Sequence, residues 1–112
     1  MTPFESLLIG HILGDWIFSN GWFATHKHKL NHIASWLHAT INGISAAAMG
    51  TLTELPFITV FLTISITHLL IDTRKPIRWF MKVTGKDNLP WLVIVIDQMV
   101  HILVIATLTY TL

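Results

Sequence analysis

Long apolar runs separated by short polar stretches are the main pattern along this chain. Four such runs are present, at residues 4–19, 33–52, 55–71 and 91–112. Each approaches the ~20 residues that an α-helix needs to cross the ~30 Å hydrocarbon layer of a bilayer. The pattern predicts an all-α polytopic membrane protein, with four transmembrane helices in an up-down bundle.

The composition supports a membrane protein and limits the number of domains. Hydrophobic residues make up 53% of the 112 residues and charged residues only 12%, which is too few to coat a soluble globule of this size. We expect one domain, residues 1–112. The first run contains Glu5 and no Lys or Arg, so we expect a retained helix rather than a cleaved signal peptide.

The positive charges are confined to two of the connections between the apolar runs. The seven Lys and Arg residues are Lys27, Lys29, Arg74, Lys75, Arg78, Lys82 and Lys86. The positive-inside rule therefore places both connections in the cytoplasm and both termini outside. Apolar residues alternate with cations over residues 76–90, which predicts a short amphipathic helix on the membrane surface within the second connection.

Three of the predicted helices contain a histidine and an aspartate four residues apart. These pairs are His11 with Asp15, His68 with Asp72, and Asp97 with His101. A spacing of four places both side chains on one helix face, ~6 Å apart along the axis. The order reverses in the last helix, which runs in the opposite direction. Every aspartate should therefore lie nearer the cytoplasm and every histidine nearer the bilayer centre.

The remaining predicted helix adds His38 and Asn42, again four residues apart. Since a charged residue at the bilayer centre costs roughly 2.5–3.5 kcal/mol, the aspartates need compensation, which could come from His-Asp hydrogen bonds, from Arg74 or Lys75, from trapped water or from a divalent cation. The chain has no cysteine, so the ligands would be nitrogen and oxygen atoms, which suit Zn, Mn or Fe. The predicted metal ligands are His11, Asp15, His68, Asp72, Asp97 and His101. The alternative for a lone buried histidine such as His38 is that it packs in the interior and forms hydrogen bonds but binds no metal.

Other polar and small residues suggest binding surfaces. Lys29, Arg74, Lys75 and Arg78 would seat an anionic head group at the rim of this cluster. The stretch "THKHKL", residues 25–30, is better explained as an interfacial anchor than as a source of metal ligands. Small residues at Gly43, Ala46, Ala47 and Gly50 favour close helix packing, within the bundle or against a second copy in a homo-oligomer. Membrane lipids are the expected partners, and nucleic acid is not.

Several motifs resemble those of an uncharacterised family of small bacterial and phage membrane proteins, domain of unknown function 3307. They are "LIGHILGDW", the Leu-His pair at His38, "ITHLLIDTRK" and "DQMVHIL", and the likeness spans nearly the whole chain. The resemblance implies a multi-pass protein of the bacterial inner membrane but no established activity. The family usually has Gln four residues after the first Asp, where this chain has Ser19.

Three functions are compatible with this pattern. In the first, a metal-dependent membrane hydrolase acts on a phosphorylated lipid or amphiphile, with Asp15, Asp72, Asp97 and His38 as catalytic residues. The arrangement of His and Asp in helices is similar in style to that of small membrane proteins described as metal-dependent hydrolases. The second is a proton- or ion-coupled transporter or channel, although only Thr and Ser supply polar groups in the outer halves of the last two apolar runs. The third is a non-enzymatic membrane interaction protein whose cluster only stabilises the fold.

Overall fold

The protein is entirely helical in the computed structural model, which describes residues 1–17, 30–86 and 88–112. The helices are α1 (Pro3–Ile12), α2 (Ile33–Thr51), α3 (Phe57–Asp72), α4 (Lys75–Val83) and α5 (Pro90–Thr111), with a π-helical segment (Leu13–Ile17) directly after α1. The all-α expectation is therefore confirmed. Ser19 and Lys29, to which the sequence drew attention, lie outside the described residues.

The helices begin at residues with recognisable capping chemistry. At the start of α1, the hydroxyl of Thr2 accepts a hydrogen bond from the backbone N–H of Glu5, at 3.2 Å, and Pro3 occupies the first turn. At α2, the ring Nδ1 of His32 accepts from the N–H of Ala34, at 3.0 Å. Pro90 occupies the first turn of α5. Backbone N–H groups there have no partner within the helix, so proline, which lacks an N–H, costs no hydrogen bond at this position.

A sharp bend separates α3 from α4. Arg74, between the two helices, has a φ of 60°, and the axes of α3 and α4 differ by 54°. The left-handed conformation is unfavourable for a residue with a Cβ atom, so the surrounding contacts must hold it in place. A short helix thus lies in the connection where the sequence predicted one.

The core forms where α2 packs between α1 and α3. A Cβ atom at Gly10 would lie 2.6 Å from Cα of Ala46, so only glycine allows α1 to approach α2 this closely. Apolar side chains fill the space beside this contact, namely Leu7, Ala46, Ala47, Leu55, Val60, Ile64, Ile105 and Leu108. The small residues of α2 are buried inside this chain, and the predicted homo-oligomer stays a prediction.

The prediction of four transmembrane helices in an up-down bundle is wrong. Among the described residues, only α5, with 22 residues, is long and apolar enough to cross a membrane; α3 and α4 pass the same test only as a bent pair. Alone, α3 has 16 residues, or about 24 Å of helix, and α1 has ten. Helix α2 is long enough, with 19 residues, but contains too many polar and small residues. The inferred orientation, with both termini outside, depended on four spans and is therefore not supported either.

Large apolar side chains cover much of the outer surface. Examples on three helices are Ile44, Leu62, Ile66, Ile94, Met99 and Leu103, and each is exposed over about half its area. In the most apolar stretch of α5, only 22% is buried within the protein. The buried positions, in contrast, include several ionisable groups. The described part of the chain thus exposes much hydrocarbon and buries three aspartate side chains, the reverse of what a soluble globule usually shows.

Candidate metal centre

Imidazole and carboxylate side chains from four parts of the chain meet in the interior. His38, His68, His101, Asp72 and Asp97 are each at most 5% exposed, and His11 is 4% exposed. The side chain of Asp15, in the π-helical segment, is also 4% exposed. The structure therefore brings together all six predicted metal ligands and His38. We call these seven residues the polar centre.

Two carboxylate oxygens and two imidazole nitrogens form the middle of the polar centre. His38 Nε2 lies 2.9 Å from Asp15 Oδ1 and 3.4 Å from Asp72 Oδ2. His68 Nε2 lies 3.6 Å from the same oxygen of Asp15 and 3.5 Å from that of Asp72. Donor atoms held by one zinc ion at ~2.0–2.1 Å in a tetrahedron lie roughly 3.3 Å apart. The observed spacings are therefore close to those of a cation site.

For neutral rings, the hydrogen-bond pattern determines which nitrogen of His68 and of His101 carries the hydrogen. The carbonyl oxygen of Asp97 can only accept, so Nδ1 of His101, 2.7 Å away, must donate, and Nε2 of His101 is left as an acceptor. That nitrogen is in hydrogen-bond contact with Nδ1 of His68, which therefore donates to it. Nε2 of His68 then has a lone pair, and it has no hydrogen-bond partner within the described ranges.

A second carboxylate orients His101 from behind. Asp97 Oδ1 lies 2.9 Å from His101 Nδ1, on the side of the ring away from Asp72. The other oxygen of Asp97 accepts a hydrogen bond from Nε of Arg74, at 3.3 Å. A carboxylate behind a histidine is the usual arrangement around a metal-ligating imidazole. Arg74 balances the charge of this carboxylate, and the ion pair links the α3–α4 bend to the polar centre.

Asp15 reaches the polar centre through the π-helical segment. A π-helix, with its i→i+5 hydrogen bonds, turns less per residue than an α-helix, so it changes the direction of side chains that follow α1. Asp15 Oδ2 is 3.9 Å from His11 Nε2, while its Oδ1 faces His38 and His68 on other helices. Such π-helical turns are rare and often lie at functional sites.

Two amide residues border the polar centre: Asn42, which the sequence already grouped with His38, and Gln98, which the sequence did not place among the site residues. Gln98 donates to Asp15 Oδ2, at 3.1 Å, and its oxygen accepts from His11 Nε2, also at 3.1 Å. Asn42 lies against the π-helical segment, and a Cβ at Gly14 would be 2.7 Å from its Oδ1. The sequence signal for Gln98 was its position directly after Asp97.

The predicted head-group residues are divided between two places. Arg74 contacts Asp97 and is partly buried. Lys75 and Arg78 are exposed on α4 and contact no member of the polar centre. Lys29 lies outside the described residues. Of the three that the structure describes, only Arg74 therefore touches the predicted metal ligands.

A second group of donor atoms overlaps the first. His68, Asp72 and His101 each offer a donor atom within 4.8 Å of the others, as do Asp15, His38 and His68. Asp72 Oδ1 lies 3.6 Å from His101 Nε2. The polar centre thus has donors for one cation and a second set next to it, both including His68.

Fold and site together define an all-α protein with a buried histidine and aspartate centre and one apolar helix long enough to span a membrane. The model of the family described as "Protein of unknown function (DUF3307)" matches residues 4–112, and the chain belongs to this family. No curated protein and no solved structure matches the chain.

Proposed function

We propose that this protein is a membrane-embedded, metal-dependent hydrolase whose substrate is a phosphorylated lipid or another phosphorylated amphiphile. One observation carries the proposal: His68 Nε2, a lone-pair nitrogen, faces Asp15 Oδ1 at 3.6 Å and Asp72 Oδ2 at 3.5 Å. His38 Nε2 lies within 3.4 Å of the same two oxygens, so two buried carboxylates approach the same pair of imidazoles, and a divalent cation would offset the repulsion between the carboxylates. Zn, Mn or Fe suits imidazole and carboxylate ligands.

The membrane location is supported by the distribution of apolar and charged groups. Helix α5 is long, apolar and mostly exposed, as expected for a helix in contact with lipid. Large apolar side chains are also exposed on α2 and α3, whereas the ionisable side chains of the polar centre are buried. Intramembrane ionisable residues usually mark functional sites. The bacterial inner membrane is the location we propose.

The residues of the polar centre have the properties that hydrolysis requires. A divalent cation lowers the pKa of water bound to it, which makes water a nucleophile near neutral pH. Asp15, Asp72 or Asp97 could accept the proton of that water as general base, and His38 could do so once its Nε2 no longer donates to Asp15, 2.9 Å away. Arg74, next to Asp97, and the exposed Lys75 and Arg78 would attract the phosphate of the substrate.

The packing around the polar centre disfavours a conduit. Beyond His68 and His101, the interior is filled by the side chains of Val60, Ile64 and Ile105. An ion or proton path needs polar groups or water along its length, and these three side chains are hydrocarbon. The hydrolase therefore accounts for the buried polar groups better than a transporter or channel does.

The first test is elemental analysis of the purified protein. We expect about one or two equivalents of Zn, Mn or Fe per chain, since the donor atoms form two overlapping groups. His68→Asn should lose the metal, because His68 belongs to both groups. His32→Asn is the matched control: the same substitution falls on the cap of α2, where asparagine also caps well, so metal should be retained.

The second half of the test measures turnover. Phosphatidic acid in mixed micelles is the probe, and released inorganic phosphate is the readout. Phosphate release should require the metal, disappear in His68→Asn and persist in His32→Asn. A folded, metal-free protein that cannot be loaded with Zn, Mn or Fe would refute the metal proposal. Stoichiometric metal without turnover on any phosphorylated amphiphile would refute the hydrolase.

A further inference from the structure

An apolar groove of about 360 Å³ lies where α3, α4 and α5 meet. Hydrocarbon side chains line it: Ile71, Ile77, Phe80, Ile96, Met99 and Val100. Phe80 is 46% exposed and Met99 is 56% exposed, so the groove opens at the outer surface. We call this space the apolar groove.

The apolar groove and the polar centre lie on neighbouring faces of the same two helices. On α3, Ile71 lines the groove and the next residue, Asp72, belongs to the polar centre. On α5, Ile96 and Val100 line the groove, and each is followed directly by a residue of the polar centre. A ligand in the groove would therefore lie one helix width from the donor atoms.

A second cavity, of about 390 Å³, lies on the other side of α4. It is lined by Arg78, Met81, Lys82, Pro90 and Val93. Arg78 and Lys82 are exposed, and neither forms an ion pair within the described part of the chain. We call this space the basic cavity. Its two cations are available to an anion.

Helix α5 contributes lining residues to both spaces, in a fixed order along its length. Pro90 and Val93 line the basic cavity, and Ile96, Val100 and Leu103 line the apolar groove. These residues recur every three or four positions, so they lie on one side of the helix. Along this side, positive charge comes first and hydrocarbon follows. A phospholipid has the complementary order, with an anionic phosphate followed by an acyl chain.

We infer that the basic cavity and the apolar groove together bind one anionic phospholipid, with its phosphate between Arg78 and Lys82 and one acyl chain in the groove. The choice of ligand rests on the proposed function, which takes a phosphorylated lipid as substrate. The binding itself needs no metal. It can therefore be measured on protein from which metal has been removed.

The experiment uses phosphatidylglycerol with a photoreactive diazirine on one acyl chain, added to the chelator-treated full chain in detergent. Mass spectrometry should locate the label on groove residues of α4 and α5. Met99→Trp fills the groove and should reduce labelling at least about tenfold, since each acyl methylene that loses apolar contact weakens binding roughly fourfold. Ile94→Trp is the matched control, because Ile94 is 58% exposed on the same helix and lines neither space.

A second arm tests the phosphate contact. In wild type, unlabelled phosphatidylglycerol should compete for labelling better than phosphatidylcholine, and Arg78→Gln with Lys82→Gln should abolish that difference. Circular dichroism shows whether each variant is folded. If Met99→Trp does not fold, Leu103→Trp, which also fills the apolar groove, takes its place.

Equal labelling of the Met99→Trp and Ile94→Trp variants would overturn the inference, since it would indicate a non-specific lipid coat. Crosslinks between two copies through α4 and α5 would also overturn it, because a second chain would then occupy the groove. Specific labelling of a chain that never binds metal would support this inference while the metal-dependent hydrolase failed.

Discussion

At the scale of single residues, Asp97 has the most specific role, because it contacts both His101 and Arg74. It fixes the ring of His101 through Nδ1, at 2.9 Å from the carboxylate and 2.7 Å from the backbone oxygen, and it neutralises Arg74. Asp97→Asn keeps the size of the side chain and removes its charge. We expect zinc affinity to fall about 10- to 100-fold, the usual loss when a carboxylate behind a metal-ligating histidine is changed. Competition with a chromogenic chelator measures this affinity.

Glu54→Gln is the control for Asp97→Asn, because it also exchanges a carboxylate for an amide but lies in the exposed turn before α3. Its zinc affinity should equal that of the wild type. If Asp97→Asn bound zinc as tightly as the control, His101 would not depend on this carboxylate for its orientation.

At the scale of helices, the contact between α1 and α2 sets the position of His11 and Asp15. A Cβ at Gly10 would lie 2.6 Å from Cα of Ala46 and 2.7 Å from the backbone oxygen of Ser45. Backbone atoms cannot move aside as a flexible side chain can. We expect Gly10→Ala to lower the free energy of unfolding by about 1–3 kcal/mol, the usual cost of overpacking. Thermal unfolding followed by circular dichroism in detergent measures the change.

Gly50→Ala provides the comparison for Gly10→Ala. At Gly50, the nearest atom to an added Cβ is Cδ2 of Leu7, at 3.2 Å, and a leucine side chain can shift. Its loss of stability should be clearly smaller than that of Gly10→Ala. Equal losses at both positions would mean that the close approach of α1 and α2 does not control stability.

The pattern of residues predicted much of the polar centre but not the shape of the bundle. A spacing of four on a helix is a local property, so the pairs His68 with Asp72 and Asp97 with His101 could be identified from sequence alone. The π-helical segment, which directs Asp15 to His38, depends on packing against α2 and has no comparable signal. Hydropathy placed the end of α3 at residue 71, one residue before its observed end, but gave no sign that Arg74 adopts a left-handed conformation. The number of membrane spans was overestimated because runs of only 16–17 residues were accepted as spans, and because α1 ends after ten residues and α2 contains many polar and small residues.

At the scale of the whole molecule, α5 is the element that decides the relation to the membrane. If it spans the bilayer, the wild-type chain should remain in the membrane fraction through an alkaline carbonate wash. Ile102→Arg places a cation near the middle of α5, where insertion costs about 2.5–3.5 kcal/mol more, so a larger share of the chain should appear in the supernatant. Tyr110→Arg is the matched control, because Tyr110 is 91% exposed near the end of the helix, where an arginine reaches the interface. Release of the wild-type chain by the wash would contradict a spanning α5, and equal retention of both arginine variants would show that the centre of α5 does not contact hydrocarbon.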